Sequence, residues 1–356
     1  MEAKGAETPF SVDLNPPPQR RDGLFHMPPF FEEEMKRVEE SIEDYREGIR
    51  RNVAIISDPF YGEADLMARA ASMAGSDGLR IDGRRLRHDF RILERAPQRI
   101  VMVDEAHRLS LRRIGGFDLM NRFLSFVTSE ERLFITTWNS FSWRYLEEVL
   151  GLGRHFPRQI ILPRLDAGQI REMLLAGRRE GELTFVEEEA PGGDSKVLDW
   201  RVSRRVVMGH NIDLPYPSVD PEMIRSRLKR NRKEKESAED AFFERLARIS
   251  DGNPGVAEHL WKEALDYPEV RSSLRDPPTI DLDFDESFVL GVVLSSGSLE
   301  LDELSEVLGP VDLSAEMMAA ILEGKGLVSI DGGTVTLKPE ALKSDIEHER
   351  RLRLVW

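Results

Sequence analysis

Five short apolar runs, separated by turns and amphipathic stretches, constrain the fold of this chain more strongly than any other feature. Short apolar runs bounded by turn residues are typical of buried strands, and strands that alternate with helices build a parallel sheet. The five runs are Asn52–Ile56, Leu79–Asp82, Arg99–Val103, Leu133–Thr137 and Gln159–Leu162. The sequence therefore predicts an α/β fold with a doubly wound parallel sheet over roughly residues 30–165.

The third run ends in two acids, Asp104 and Glu105, which form the strongest local signal of chemistry. The carboxyl ends of parallel strands form the edge of the sheet where ligands bind. An aspartate at this edge can hold a Mg²⁺-bound water, and an adjacent glutamate can polarise an attacking water. The alternative is a buried strand that simply ends at the surface in acids.

Polar residues near the last two runs extend this candidate site. Asn139 follows the fourth run, where its amide can orient a water or a γ-phosphate, or can cap the next helix instead. Arg154 and Arg158 precede the fifth run, in the position of an arginine finger that reaches a neighbouring subunit. In so arginine-rich a chain, a solvated surface role is the alternative for both.

The segment after the first run has the position of a phosphate-binding loop but not its residues. In the register G-x-x-x-x-G-K-[ST], only Gly62 matches. Ser57 replaces the first glycine, Glu63 replaces the lysine, and Ala64 replaces the hydroxyl residue that binds Mg²⁺. A glutamate inverts the charge that meets the phosphates, so this loop argues against ATP and Mg²⁺ as cofactors. A loop that never bound phosphate is the alternative.

No nearby cation obviously replaces the missing lysine. No lysine lies between Lys36 and Lys196, a stretch that contains the whole predicted sheet. Arg69 and Arg80 lie in that stretch, but nothing in the sequence directs either side chain to the loop. The sequence therefore predicts a phosphate site without its cation.

The C-terminal part of the chain reads as three helices and a hairpin with a glycine turn. The predicted elements are Phe288–Leu294, Leu301–Leu308, Ser314–Lys325 and the hairpin Leu327–Leu337. This order predicts a winged helix, whose third helix would ordinarily read DNA. Residues 312–323 contain no basic side chain, so the sequence favours a module that contacts protein.

Composition limits the class of protein further. The net charge of −15 disfavours general nucleic-acid binding, although the basic segments 225–235 and 350–353 can touch nucleic acid or an acidic partner. The chain has no cysteine, which excludes disulfides and thiolate chemistry. No apolar run approaches the roughly 20 residues that span a bilayer, and we expect a soluble cytoplasmic protein without membrane contacts.

The order of these motifs resembles that of AAA+ and STAND ATPases, in particular the branch of archaeal origin initiators. The resemblance covers roughly residues 28–345 and rests on Asp104-Glu105, Asn139, Arg154 or Arg158, and Gly252-Asn253-Pro254-Gly255 before a winged helix. It implies ATP-dependent remodelling or switching, with Asp104 as the Mg²⁺ ligand. In that family an arginine that senses the γ-phosphate often follows Gly-Asn-Pro, whereas this chain has Gly255 there.

Two functions follow as expectations. The first is a degenerate AAA+-type ATPase that acts as a regulatory or scaffolding subunit through protein contacts, as a homo-oligomer or beside an active ATPase paralogue. The second is an active initiator-type ATPase that acts on DNA. The expected domains are a flexible leader (1–27), the α/β core (28–165), a helical lid (166–275) with an insertion at about 180–222, a winged helix (285–345) and a tail (346–356).

Overall fold

The computed structural model describes residues 31–179, 181–186, 199–207, 210–218, 238–309 and 314–352. The predicted leader and the basic segment 225–235 lie outside these residues. The chain divides into two compact units. The first comprises Met1–Leu165, Ser250–Val256 and Pro277–Trp356, and the second comprises Asp166–Ile249 and Ala257–Asp276. The domain boundaries expected from the sequence remain predictions.

A five-stranded parallel sheet forms the centre of the first unit. Its strands are β1 (Val53–Ser57), β2 (Gly78–Asp82), β3 (Ile100–Asp104), β4 (Leu133–Asn139) and β5 (Arg158–Ile161). The order across the sheet is β2-β3-β4-β1-β5, and every neighbouring pair is parallel. All five predicted strands are present, and the α/β fold class is confirmed. This order places the ends of β3, β4 and β1 side by side.

Six helices accompany this sheet: α1 (Glu32–Arg46), α2 (Glu63–Ala74), α3 (Gly83–His88), α4 (Arg91–Arg95), α5 (Asp118–Ser129) and α6 (Ser140–Leu150). The central strands β1 and β4 are buried along their whole length because both faces of the sheet are covered. Phe123 of α5 and Phe134 and Trp138 of β4 are fully buried in the resulting core. Helix α1 ends at Arg46, just before Gly48, which adopts a left-handed backbone conformation (φ 95°).

The second unit combines helices with short strands. In chain order its elements are α7 (Ala167–Leu175), β6 (Thr184–Val186), β7 (Asp199–Val207), β8 (His210–Ser218), α8 (238–250), α9 (Pro254–Ala264), β9 (Leu265–Asp266) and β10 (Glu269–Arg271). Helix α9 begins in the first unit and ends in the second. Strands β7 and β8 pair antiparallel. Residues 199–207 therefore form one continuous strand that pairs with residues 210–218.

A C-terminal module, residues 284–352, belongs to the first unit. Its elements are α10 (Phe284–Ser296), β11 (Ser298–Glu300), α11 (Leu301–Leu308), α12 (Ala315–Gly324), β12 (Val328–Asp331), β13 (Thr334–Leu337) and α13 (Leu342–Leu352). The strands form an antiparallel sheet in the order β11-β13-β12. The three helices and the hairpin expected from the sequence are present. No helix in the described part of the chain is long and apolar enough to span a membrane.

Candidate functional site

The turn between β1 and α2 contains the residues that the sequence predicted to form an altered phosphate loop. Gly62 caps α2 in the left-handed conformation (φ 74°), and Phe60 also has a positive φ of 69°. Ser57 is buried at the end of β1, and Glu63 and Ala64 form the first turn of the helix. The amide groups of such a helix start favour an anion, but the first side chain is itself acidic.

The carboxyl group of Glu63 lies close enough to the acids at the end of β3 to feel their charge. Burial raises its pKa to about 7, the charges of Glu105 and Asp104 add to this shift, and its own helix-start amide and the Ser57 hydroxyl oppose it. An acid that faces other acids in a partly dry site is repelled from its charged form. A triphosphate would bring further negative charge to the same place.

Arg80, one of the two arginines to which the sequence assigned no direction, contacts the start of α2. Strand β2 runs beside β3, and Asp82 pairs in register with Asp104. Arg80 lies two residues earlier on the same face of β2. The Arg80 Nε atom is 2.7 Å from Asp104 Oδ2, and its Nη2 atom is 3.3 Å from Oδ1. The same Nη2 donates to the Ala64 carbonyl oxygen at 3.0 Å. One guanidinium thus links the acidic strand end to the first turn of α2.

This contact uses the carboxylate that would hold a metal. Burial raises the pKa of Asp104, and the hydrogen bonds and charge of Arg80 oppose that shift. Both oxygens of Asp104 already accept from a cation. No group of three or more histidine, aspartate or glutamate side chains in the described residues can hold a metal ion. With both Asp104 oxygens paired to Arg80 and no hydroxyl at Ala64, the residues present do not fit a nucleotide-bound Mg²⁺.

Glu105 is held by a second arginine. Its backbone is left-handed (φ 50°), and its amide donates to Thr137 Oγ1 at 2.8 Å. Arg108, in the 3-10 turn that follows, donates to both Glu105 oxygens at 2.6 and 3.1 Å. Arg108 also donates to the carbonyl and hydroxyl oxygens of Ser298, in the C-terminal module, at 2.8 and 2.9 Å. Glu105 is thereby tied to a residue nearly two hundred positions away.

The charge of Arg108 decides the ionisation of Glu105. Burial alone would raise the pKa of Glu105, but the charge and hydrogen bonds of Arg108 outweigh burial and lower it. A general base also needs a free oxygen pointing at its water. In this structure both oxygens of Glu105 accept from Arg108, so the group is charged but occupied.

Asn139 completes the cluster at the strand ends and is likewise engaged. It stands beside Ser57 in the register of β4 and β1. Its Oδ1 accepts from the Phe141 amide at 2.9 Å and so caps α6, and its Nδ2 donates to the Leu294 carbonyl of the C-terminal module at 2.9 Å. Asn139 is only 5% exposed, so its side chain makes structural hydrogen bonds and does not face solvent.

The two candidate arginine fingers lie apart from this cluster. Arg154 donates to the carbonyl oxygens of Gly151 and Leu150 at 3.1 and 2.8 Å, which caps the end of α6. Arg158 donates to the Arg37 carbonyl at 2.9 Å and pairs with acids of α1. Both guanidiniums thus contact the helices of their own chain.

The segment before α9 closes on the loop from the other side. Asn253 Nδ2 donates to the Pro59 carbonyl at 2.7 Å. A Cβ atom at Gly255 would overlap the Phe60 carbonyl oxygen, so no larger residue fits without moving the loop. The arginine that the resembling family often places here has no room in this arrangement.

Comparisons with known proteins add little beyond the fold. No protein-family model and no curated protein matches the sequence. Similar solved structures include a single-residue variant of Thermotoga maritima RuvB, with 15% identity, a TM-score of 0.40, and coverage of 90% of this chain and 94% of that chain. Another is the Thermotoga maritima RuvB Holliday junction branch migration motor, with 14% identity, a TM-score of 0.38, and coverage of 90% and 94%. Function is therefore argued from the residues of this chain.

Proposed function

We propose that this chain is an AAA+-type protein without ATP hydrolysis, which acts as a regulatory or scaffolding subunit through protein contacts. The observation that carries the proposal is Arg80. Its guanidinium binds both Asp104 oxygens and reaches the first turn of α2, where Mg²⁺ and the loop lysine would act. Glu63 adds an acid on the same spot. Arg80 thus neutralises Asp104, the acid that a nucleotide-bound Mg²⁺ would otherwise neutralise.

The AAA+ assignment rests on the order of elements. The sheet order β2-β3-β4-β1-β5, acids at the end of β3, a polar residue at the end of β4 and the Gly252-Asn253-Pro254 segment before α9 follow the pattern of that superfamily. The element order of the C-terminal module is that of a winged helix. We propose, on the combination of both, that the chain belongs to the archaeal initiator-like branch.

Protein contacts fit the surface of the C-terminal module better than DNA contacts do. Helix α12, the third helix, has no lysine or arginine within Ala315–Gly324, and it exposes Met317 and Glu316. Phosphate contacts dominate duplex binding and need cations. A protein partner in the cytoplasm, either a second copy or an active ATPase paralogue, suits an acidic helix with an exposed methionine.

A turnover assay tests the proposal. With ATP and Mg²⁺, we expect the wild type to release no more phosphate than a Glu105→Gln variant. Both the wild type and the variant lack a free general base and a bound metal. A combined variant, Glu63→Lys, Ala64→Thr and Arg80→Ala, restores the loop and frees Asp104. Wild-type turnover that Glu105→Gln abolishes would refute the proposal. Salt-sensitive duplex binding with such turnover would favour the active, DNA-acting alternative.

A further inference from the structure

A small cavity lies behind Glu105, between the α/β core and the C-terminal module of the first unit. Residues of α3, the 3-10 turn Ala106–Leu109, α6, α10 and β11 line it. Its volume is about 50 Å³. Since a buried water needs roughly 10–15 Å³ on this measure, the cavity has room for a few waters or one small ion.

Guanidinium groups dominate the lining. Arg84, Arg87, Arg108 and Arg112 all contribute. Arg87 pairs with Glu303, and Arg108 pairs with Glu105. These two acids are thus already neutralised by their own partners.

Two of the arginines have no such partner. Arg84 bonds the neutral Ser298 hydroxyl, and the Arg112 guanidinium lies 4.5 Å from the centre of the Tyr145 ring. Within the described residues, neither forms an ion pair with a carboxylate. Burial lowers the pKa of Arg112, which shows that its charge is held in a poorly solvated place. Glu300 also lines the cavity and the charge of Glu349 acts on Arg112, but neither acid forms an ion pair with Arg84 or Arg112 among the described residues. Both guanidiniums therefore lack a carboxylate partner within hydrogen-bond reach.

His107 provides an independent sign of a missing acceptor. The residue is 6% exposed, and its Nδ1 accepts from the Asn139 amide at 3.2 Å. The neutral ring therefore carries its proton on Nε2, which lines the cavity side of the turn. Burial lowers the pKa of His107 to about 4, so the ring is neutral at pH 7. A backbone hydrogen bond with Ser296 opposes this shift, but no acceptor among the described residues meets Nε2 with good hydrogen-bond geometry.

We propose that this cavity binds a small tetrahedral oxyanion, such as inorganic phosphate or sulfate, through Arg84, Arg112 and the Nε2–H group of His107. An anion satisfies both guanidiniums and the buried donor at once, whereas a metal cation would be repelled. The volume excludes larger phosphate esters. Because the lining comes from both the core and the C-terminal module, the bound ion stabilises their contact. The inference does not depend on whether the chain hydrolyses ATP.

Calorimetric titration with inorganic phosphate, at constant ionic strength, tests the site. We expect saturable binding to the wild type, weakened about tenfold or more in Arg112→Gln and in Arg84→Gln, since each loses a charge-assisted hydrogen bond. Arg91→Gln is the matched control, because it removes the same charge from a two-thirds exposed side chain that pairs with Asp89. This control should bind phosphate like the wild type.

A second readout separates a site from charge screening and from failed folding. In protein labelled with ¹⁵N-histidine, phosphate should shift the Nε2 signal of His107 in the wild type and in Arg91→Gln. It should not shift this signal in Arg112→Gln, provided that the circular dichroism spectrum of this variant is that of the folded protein. No saturable binding to the wild type would overturn the proposal. Equal binding by all variants, or binding of O-phosphoserine as tight as that of phosphate, would overturn it too.

Discussion

Two regions of the first unit bury carboxylates, and they treat them in opposite ways. At the strand ends, Asp104 and Glu105 each accept from an arginine, Arg80 and Arg108. On α13, Asp345 and Glu349 are fully buried one helical turn apart, and none of their four oxygens has a hydrogen-bond partner in the described part of the chain. In the first region, ion pairs offset the free-energy cost of burying the carboxylates. In the second region, protonation removes the charge.

The surroundings of α13 explain the second treatment. Burial raises the pKa of Asp345 well above its usual range, and the neighbouring Glu349 adds to the shift. Burial raises the pKa of Glu349 to about 7, and Arg112 opposes this only from a distance. The adjacent His348 is bonded instead to Ser287, at 2.9 Å. The α13 pair shows what the strand-end acids would experience without their arginines.

The difference shows that the acids of the candidate site are neutralised by arginines of the same chain. An AAA+-like site would leave its acids to be satisfied by Mg²⁺ and water, whereas here the chain's own arginines satisfy them. The comparison can be broken by removing those arginines, or sharpened by removing the unpaired acids.

The largest effect is expected from Arg108→Ala. The change removes the hydrogen bonds of a buried guanidinium to Glu105, whose side chain is 35% exposed, and to Ser298, so we expect a loss of about 3 kcal/mol in the free energy of unfolding. Urea denaturation monitored by circular dichroism measures it. Arg108→Lys, which keeps the charge without the fork, should lose less. A loss below about 1 kcal/mol for Arg108→Ala would show that the pair is not important for stability.

The next effect is a loss of stability that depends on pH. Because the native pKa of Glu349 lies near 7 and above its unfolded value, its contribution is complete at low pH and is lost as pH rises through 7. We expect the wild type to lose about 3 kcal/mol of stability from this group between pH 4 and pH 8.5.

The variant Glu349→Gln isolates that effect, since an amide does not ionise. Its stability should fall less between the two pH values than that of the wild type, in paired urea titrations. Asp345→Asn should act in the same direction. Parallel pH profiles for the wild type and both variants would contradict the claim that α13 buries its acids in protonated form.

A smaller loss is expected from Arg80→Ala, about 2 kcal/mol, because this ion pair is about a fifth exposed and water can partly replace the guanidinium. Neutralising the partner should restore part of it. The double variant Arg80→Ala with Asp104→Asn should therefore be more stable than Arg80→Ala alone. A double-mutant cycle with no coupling energy would separate Arg80 from Asp104.

The smallest effect is expected from Arg154→Ala. Its exposed guanidinium only bonds the carbonyl oxygens at the end of α6, so stability should change by less than about 0.5 kcal/mol. The same variant tests the arginine-finger prediction. If it abolished an ATPase activity of the assembled protein, Arg154 would act on a neighbouring subunit and the surface interpretation would fail.

The fold was accessible from the sequence because buried parallel strands are continuous apolar runs and helices have their own periodicity. The acids at the end of β3 and the altered loop were visible for the same reason: they lie at fixed positions relative to strands. Arg80 was considered as a replacement for the lysine, but nothing in the sequence directed its side chain to the loop, although it stands between the buried Leu79 and Ile81 on a strand expected to lie in the sheet. Its partner depends on which strands are neighbours, and strand order is not written in any one segment.

The contacts of the C-terminal module were beyond sequence reasoning for a similar reason. Asn139 and Arg108 bond to Leu294 and Ser298, residues far away in the chain, and no local pattern marks such pairs. The absence of space for a side chain at Gly255 was equally invisible, because it depends on the Phe60 carbonyl. The sequence showed that an arginine is missing there, and the structure supplies the steric reason.

Calorimetric titration with ATP and Mg²⁺ tests the central claim most directly. We predict no saturable binding to the wild type up to about 1 mM nucleotide, because Arg80 and Glu63 occupy the places of the metal and the loop lysine. The variant that combines Glu63→Lys, Ala64→Thr and Arg80→Ala should bind more tightly than the wild type. Low-micromolar, Mg²⁺-dependent binding by the wild type, weakened by Asp104→Asn, would contradict the account.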